Sequence, residues 1–418
     1  MEPNMKKLMG IALSSLLLAT SASATSLKQI LNYALTYDPT LDEARANIFA
    51  AEEQTKISEA GHLPIFSATG TSVIAQKHTH TSDRRSGPGV AARMNIYSWG
   101  AVEAEIDRDK HREEFYQHRF SETRELVGQQ VGGLYLTALR AKENIVIYKE
   151  SLKRHDKMLA DLKIITTYDP GRNSEMNEAL SRRNQVESTL LQQEKIMYTT
   201  LSRLSRYSKA PLTEKDLVDP FAKETADGFV RQFHNPDIKT NPSYLAQEKE
   251  FDSARSAVEA ANARRKPSIN LEGTATRHER EVYLTFNWDF YNPAAKHTEQ
   301  QSFYSKQAAE AKLRDIELTV EEQARTAEVD MQRNQQLAKV AHKQIALQRN
   351  VVQDTELQFE IGMKSLMDVL NSYQELTGVQ AAEIAARNDF RDAALLYLVS
   401  QSRMAHWAGV VLPTTNKK

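Results

Sequence analysis

The sequence predicts a mainly α-helical protein with a small β part, laid out as two tandem repeats of helix, strand, strand, long helix and helix. Three observations carry this. Asp38-Pro39 and Asn241-Pro242 each open an amphipathic run that ends at a proline, Pro64 or Pro267; both prolines of the first copy recur 203 residues later in the second. A constant offset is the mark of an internal repeat. After Pro64 and Pro267 the apolar residues change from helical spacing to alternation. Two stretches, Ala101 to Asp169 and Ala294 to Ile361, then run without proline. At about 1.5 Å per residue, either helix would reach roughly 100 Å.

The first 24 residues read as a secretory signal peptide. Lys6 and Lys7 precede an apolar run, Leu8 to Ala19, and Ala22-Ser23-Ala24 supplies a small-residue cleavage site. The run falls short of the roughly 20 apolar residues that a spanning helix needs. The chain contains no cysteine. This excludes disulfides, thiolate metal ligands, a cysteine nucleophile and an acylated cysteine at the mature N-terminus. A formal charge of −1 argues against nucleic acid as a partner, since such proteins carry a basic face. Only 15 glycines and 12 prolines in 418 residues suit long helices.

The first repeat spans residues 25–206, with strands expected at about 65–75 and 89–97 and a hairpin tip near 171. The second spans 242–409, with strands at about 268–276 and 281–291 and a tip near 362; residues 410–418 form a tail. In the second repeat Val282, Leu284, Phe286, Trp288 and Phe290 alternate with polar residues, so one face is large and apolar. That is the pattern of a strand facing lipid, where about 9–11 residues cross the bilayer. Phe286 is placed near mid-membrane, with Thr285 on the opposite, lumenal face. Tyr97, Trp99, Trp288 and Tyr291 lie at strand ends, where an aromatic girdle would sit. A small soluble sandwich is the alternative. Four strands cannot close a membrane barrel, so a spanning sheet requires several copies.

Within the second long run Leu313, Ile316, Val320, Ala324, Ala327, Met331, Ala338, Ala341, Ile345 and Val352 form a narrow apolar seam, as in packed coiled-coil helices. The first run contains Gly128, Gly132 and Gly133, read as close packing or a slight bend. Each run ends in a turn, at Gly171-Arg172-Asn173-Ser174 and Gly362-Met363-Lys364-Ser365. There the glycine would supply a positive φ and the serine a helix cap. Another helix follows each, giving two antiparallel hairpins.

These residues resemble the TolC family of outer-membrane efflux and secretion channels over essentially the whole mature chain. The repeats, Pro64, Pro267 and the paired tips carry the resemblance, most specifically the run from Gly362 through Asp368 to Leu370. It implies a homotrimer with a twelve-stranded outer-membrane β-barrel, continued by a periplasmic α-helical barrel, and an equatorial belt from residues 207–241. It implies outer-membrane lipid, a periplasmic membrane-fusion adaptor and an inner-membrane ABC or proton-driven transporter as partners. It places the protein in the outer membrane, reaching into the periplasm, as the outer-membrane component of type I protein secretion. Small-molecule efflux is the alternative cargo, and a periplasmic or surface coiled-coil scaffold the alternative of another class. At the periplasmic mouth the resemblance implies a constriction ring from Asp368, with Asn371 where members can carry a second Asp and Asn177 at the equivalent place in the first hairpin. Phe359 and Lys364 stand where an aromatic and a basic residue help hold the mouth shut.

Nothing points to an enzyme, a cofactor or a bound metal. Phosphate loops, zinc-protease motifs and nucleophile elbows are absent. His78 and His80 could ligate a metal but sit in a polar loop. Glu113-Glu114 and Glu321-Glu322 read as solvated helix faces.

Overall fold

A computed structural model describes residues 26–74, 87–277 and 279–410. The expected leader, His78, His80 and residues 411–418 lie outside the described residues. The chain begins with α1 (Leu27–Tyr37) and α2 (Pro39–Glu59), then β1 (Ile65–Thr71), β2 (Gly87–Tyr97), α3 (Ala101–Tyr168) and α4 (Asn173–Leu204). A connecting stretch carries α5 (Ala226–Phe233). The second half has α6 (Pro242–Ala263), β3 (Ser268–Thr276), β4 (Arg280–Asn287), α7 (Pro293–Glu360), α8 (Leu366–Ser400) and the short α9 (Met404–Trp407). The order from α2 to α4 thus recurs from α6 to α8. Both long helices, α3 and α7, contain 68 residues. No described helix is long and apolar enough to cross a membrane.

The helix starts follow from local chemistry. Asp38 accepts a hydrogen bond from Thr40 N–H (2.8 Å) and Asn241 from Ser243 N–H (2.9 Å), each ahead of a proline at the first helical position. There the missing proline N–H costs nothing and its fixed φ suits the helix. The same helices stop at Glu59 and Ala263, just short of Pro64 and Pro267, because the residue before a proline is pushed toward extended backbone.

Two cores hold the helices. One lies midway along α3 and toward the C-terminal end of α8, where α1, α9 and residues 207–233 wrap them. It centres on Val131, Tyr135, Leu136, Phe229, Tyr397 and Leu398. The belt is also tied by polar contacts: Tyr135 Oη donates to the Asp216 carbonyl (2.9 Å) and accepts from Val218 N–H (2.7 Å), while Lys142 Nζ donates to the Glu214 and Leu217 carbonyls. The second core, near the tips, joins Met158 and Leu162 of α3 to Val369, Leu370, Tyr373 and Leu376 of α8.

Gly132 has no room for a side chain: a Cβ there would lie 2.6 Å from Leu395 Cδ1, and one at Gly128 2.4 Å from Met404 Cγ. Close packing, rather than a bend, is their role. Gly133 faces open space. Of the α7 seam, Val320, Ala327, Met331 and Val352 are buried, while Leu313, Ile316, Ala324, Ala338, Ala341 and Ile345 are half-buried. A second stripe, Leu318, Val329, Leu337, Val340, Leu347 and Val351, is exposed.

Candidate functional site: the sheet and the hairpin mouth

The four strands form one antiparallel sheet in chain order, β1-β2-β3-β4. Residues opposite one another in an antiparallel pair share a face. The register aligns Met94 with Leu271 and Leu271 with Leu284; Ala92 with Gly273 and Val282; and Ile269 with Phe286. Val282, Leu284 and Phe286 thus belong to a continuous apolar face, and all three are strongly exposed. The other face is polar. Arg93 lies opposite Glu272, Asn95 Nδ2 donates to Asn270 Oδ1 (2.9 Å), and Thr285 Oγ1 donates to Glu272 Oε1 (3.2 Å).

Three strand expectations need correction. β4 ends at Asn287, so Trp288 and Phe290 lie beyond it rather than on it. The reason is its partner: β3 begins at Ser268, directly after Pro267, and Ser268 is already paired with Asn287. Trp288 instead donates its Nε1–H to the Arg265 carbonyl (3.2 Å) at the foot of the sheet. With β4 over Arg280–Asn287, its midpoint is near Leu284, and Phe286 sits close to the strand end. In the first half β1 stops at Thr71 and Ile74 is almost fully exposed. A bulge between Asn95 and Tyr97 brings Tyr97 opposite Ile269, putting that ring on the apolar face. Among the described residues the sheet leaves two unpaired edges, the outer sides of β1 and β4.

At the tips the two turns differ. Gly362 has φ 74°, a conformation that favours glycine. Gly171 has no positive φ; it lies in a 3₁₀ turn, Pro170–Arg172, where its N–H donates to Asp169 Oδ1 (3.1 Å). Ser365 caps α8 through a reciprocal box: its Oγ accepts from Asp368 N–H, and Asp368 Oδ2 accepts from Ser365 N–H (2.9 Å) and Oγ–H (2.8 Å). These bonds hold the Asp368 carboxyl below its ordinary range. Ser174 does not cap α4, which starts one residue earlier, at Asn173. Asn177 and Asn371 are exposed one to two turns from their tips, and Asp368 is half-buried.

Phe359 packs against the tip core, and the cation over its ring is Arg172 of the first hairpin, 5.8 Å from the centroid. Lys364 is exposed and makes no hydrogen bond or ion pair through its side chain among the described residues. The contact thus joins the two hairpins. Further bonds do the same: Arg182 Nη1 to Gln374 Oε1 (3.1 Å), and Thr377 Oγ1 to Ser151 Oγ (3.0 Å). Tyr373 donates to Glu356 within the second hairpin; burial, reinforced by that carboxylate, pushes the phenol up.

Sequence reasoning missed the buried polar anchors. Arg391 is 1% exposed and forks onto Glu143 (2.8 and 2.9 Å) and Asp219 (2.7 Å). Burial lowers its pKa, but the two carboxylates outweigh this and raise it. Glu125 is buried on α3 and accepts from Met404 N–H (3.1 Å). Nothing in the local spacing of a lone Arg or Glu on a long helix marks it as buried.

Residues 30–161 match the family model described as outer membrane efflux protein. No curated protein matches the sequence. Among solved structures, the fold is similar to the CmeC outer membrane channel of Campylobacter jejuni, at 14% identity over 96% of this chain and 94% of that one, with a TM-score of 0.76. It is similar to the outer membrane protein VceC of Vibrio cholerae, at 14% identity over 90% of this chain and 96% of that one, TM-score 0.74. The open-state MtrE outer membrane channel of Neisseria gonorrhoeae matches at 14% identity over 90% of this chain and 88% of that one, TM-score 0.71. Residues 30–161 are thus similar in sequence to the outer membrane efflux proteins, and the chain shares its fold with outer membrane channels over 90% or more of its length.

Proposed function

We propose that three copies of the chain close into one outer-membrane duct that continues through the periplasm and exports cargo to the exterior. The observation that carries this is the four-stranded sheet with two free edges, apolar on one exposed face and polar on the other. Lipid against one face and water against the other would account for such a sheet. Joining β4 of one copy to β1 of the next makes a ring of twelve strands. The exposed apolar stripe on α7 and the one on α4 (Leu180, Leu191, Tyr198) support the same ring, since each copy offers two different edges to its neighbours.

The cargo reading is type I protein secretion, with a periplasmic adaptor and an inner-membrane ABC transporter as partners. Efflux of small molecules, with an ABC or proton-driven pump, is the second reading, favoured by the description of the matching family. Deleting the gene in its host separates them. Secretion predicts loss of one or a few large proteins from the medium with unchanged tolerance of dyes and detergents; efflux predicts the reverse.

At the periplasmic mouth, three copies of Asp368 form the constriction ring, with Asn371 and Asn177 as uncharged neighbours. A ring of carboxylates selects cations. The box with Ser365 offers a competing role, that of a helix start. Asp368→Asn removes the charge, whereas Ser365→Ala removes the cap and leaves the charge. Planar-bilayer recordings should show reduced cation selectivity in Asp368→Asn alone. Equal loss in both variants would make Asp368 a capping residue.

A further inference from the structure

His155 sits where the two hairpins meet. It belongs to α3 of the first hairpin and is 4% exposed. Its ring meets Tyr373 of α8 close to edge-on, with 5.4 Å between centroids. One turn back, Ser151 Oγ accepts from Thr377 of α8, so one patch of α3 carries both contacts. His155 Nδ1 lies 2.9 Å from the Ser151 carbonyl oxygen. A carbonyl only accepts, so Nδ1 holds the proton and Nε2 of the neutral ring is bare. Nε2 has no hydrogen-bond partner among the described residues, so a proton added there gains no acceptor from them.

The surroundings suit a neutral ring and oppose a charged one. The groups facing it are Arg154 and Asp156 of α3, Arg182 of α4 and the Tyr373 phenol of α8, with Glu356 of α7 beyond that phenol. All are engaged: Arg154 with Glu150, Asp156 with Arg183, Arg182 with Glu178, and Glu356 with Tyr373. The Tyr373 ring already has one cation against it, Arg154 at 6.0 Å, which repels a second. Burial, the largest effect, holds the imidazole below its usual pKa.

We propose that His155 is a proton-operated latch between the hairpins. Neutral, it holds α3 against α8; with a second proton at Nε2, the buried cation drives the two apart. In the released state the ring is exposed and takes its proton near the ordinary histidine value of 6.5. Release therefore grows as pH falls below that value. In the duct proposed above, release widens the periplasmic mouth; this consequence, unlike the latch, rests on that reading.

Amide hydrogen exchange of the full-length protein in detergent, corrected for the intrinsic rate, reads release directly. From pH 7.5 to pH 5 it should rise several-fold, at most about 30-fold, in the facing segments of α3 and α8 near the tips and not in α1 or the belt. Two neutral replacements should abolish the rise: His155→Gln, which can still donate to Ser151, and His155→Phe, which keeps a ring against Tyr373. Circular dichroism checks the fold of each. No rise in the native protein, a rise spread equally over the chain, or one that persists in either folded variant would overturn the latch. Planar-bilayer conductance tests the mouth separately. A local rise in exchange without a change in conductance would uphold the latch and count against the duct.

Discussion

Glu125 shows what a single buried group does to this protein. Burial, the larger effect, raises its pKa to about 7 from 4.5, against the opposing bonds from the α9 backbone. The folded chain therefore holds this proton more tightly than the unfolded chain, and stability falls as pH rises between about 4.5 and 7. Above that window the cost of the buried charge is fully present. Glu125→Gln keeps an oxygen to accept from Met404 N–H and removes the charge. At pH 8 the variant should be more stable by about 3 kcal/mol, the size of the shift. At pH 4.5 or below the difference should vanish. Denaturant unfolding of the detergent-extracted protein at the two pH values measures this; a gap independent of pH would mean that Glu125 is not the titrating group. Arg391 is the opposite case, a buried cation whose carboxylates hold it charged. Neither residue was legible as an anchor, since burial of a polar side chain depends on partners more than 150 residues away in sequence.

At the scale of elements, the glycines of α3 and the alternation of β4 each give a paired test. Gly132 faces Leu395 across a helix contact too close for a Cβ, whereas Gly133 faces open space. Gly132→Val should destabilise by about 1–3 kcal/mol through overpacking. Gly133→Ala should stabilise by about 0.5–1 kcal/mol, the helix-interior preference for Ala over Gly. Equal thermal shifts in the two variants would contradict the packing. In β4, Leu284 is the mid-strand residue on the apolar face and Thr285 lies on the polar one. Leu284→Arg should hinder insertion, as Arg at the midplane of a lipid face costs about 2–4 kcal/mol. Thr285→Arg should assemble nearly normally. The yield of heat-resistant oligomer in outer-membrane fractions reports both; similar yields would assign the wrong face to lipid. The alternation was readable, but the end of the strand was not: Trp288 and Phe290 continue the period, and only the position of Ser268 shows that they lack a partner.

At the scale of the whole molecule, the single chain is unfinished. Its sheet has two open edges, and exposed apolar stripes run along α4 and α7. Open edges and apolar stripes of this size invite association. The detergent-extracted protein should run as three chains by light scattering. Leu337→Glu/Leu347→Glu on the outer stripe of α7 should lower that mass while leaving the helical signal intact. A native protein that is monodisperse as one chain would remove the basis of the duct.

Helix order, strand positions to within a few residues and the two hairpin tips were legible because each rests on local chemistry. Caps at Asp38 and Asn241, prolines at 64 and 267 and the period of the apolar residues act over a few neighbours. The tertiary structure decided what depends on distant partners. It brought Arg172 of the first hairpin over the Phe359 ring of the second. It put Tyr97 on the apolar face through a bulge, and left Gly171 without the positive φ that its twin at Gly362 adopts. Pairing register, burial of charge and close approach of helices are set by which segments meet, and one-dimensional spacing does not encode that meeting.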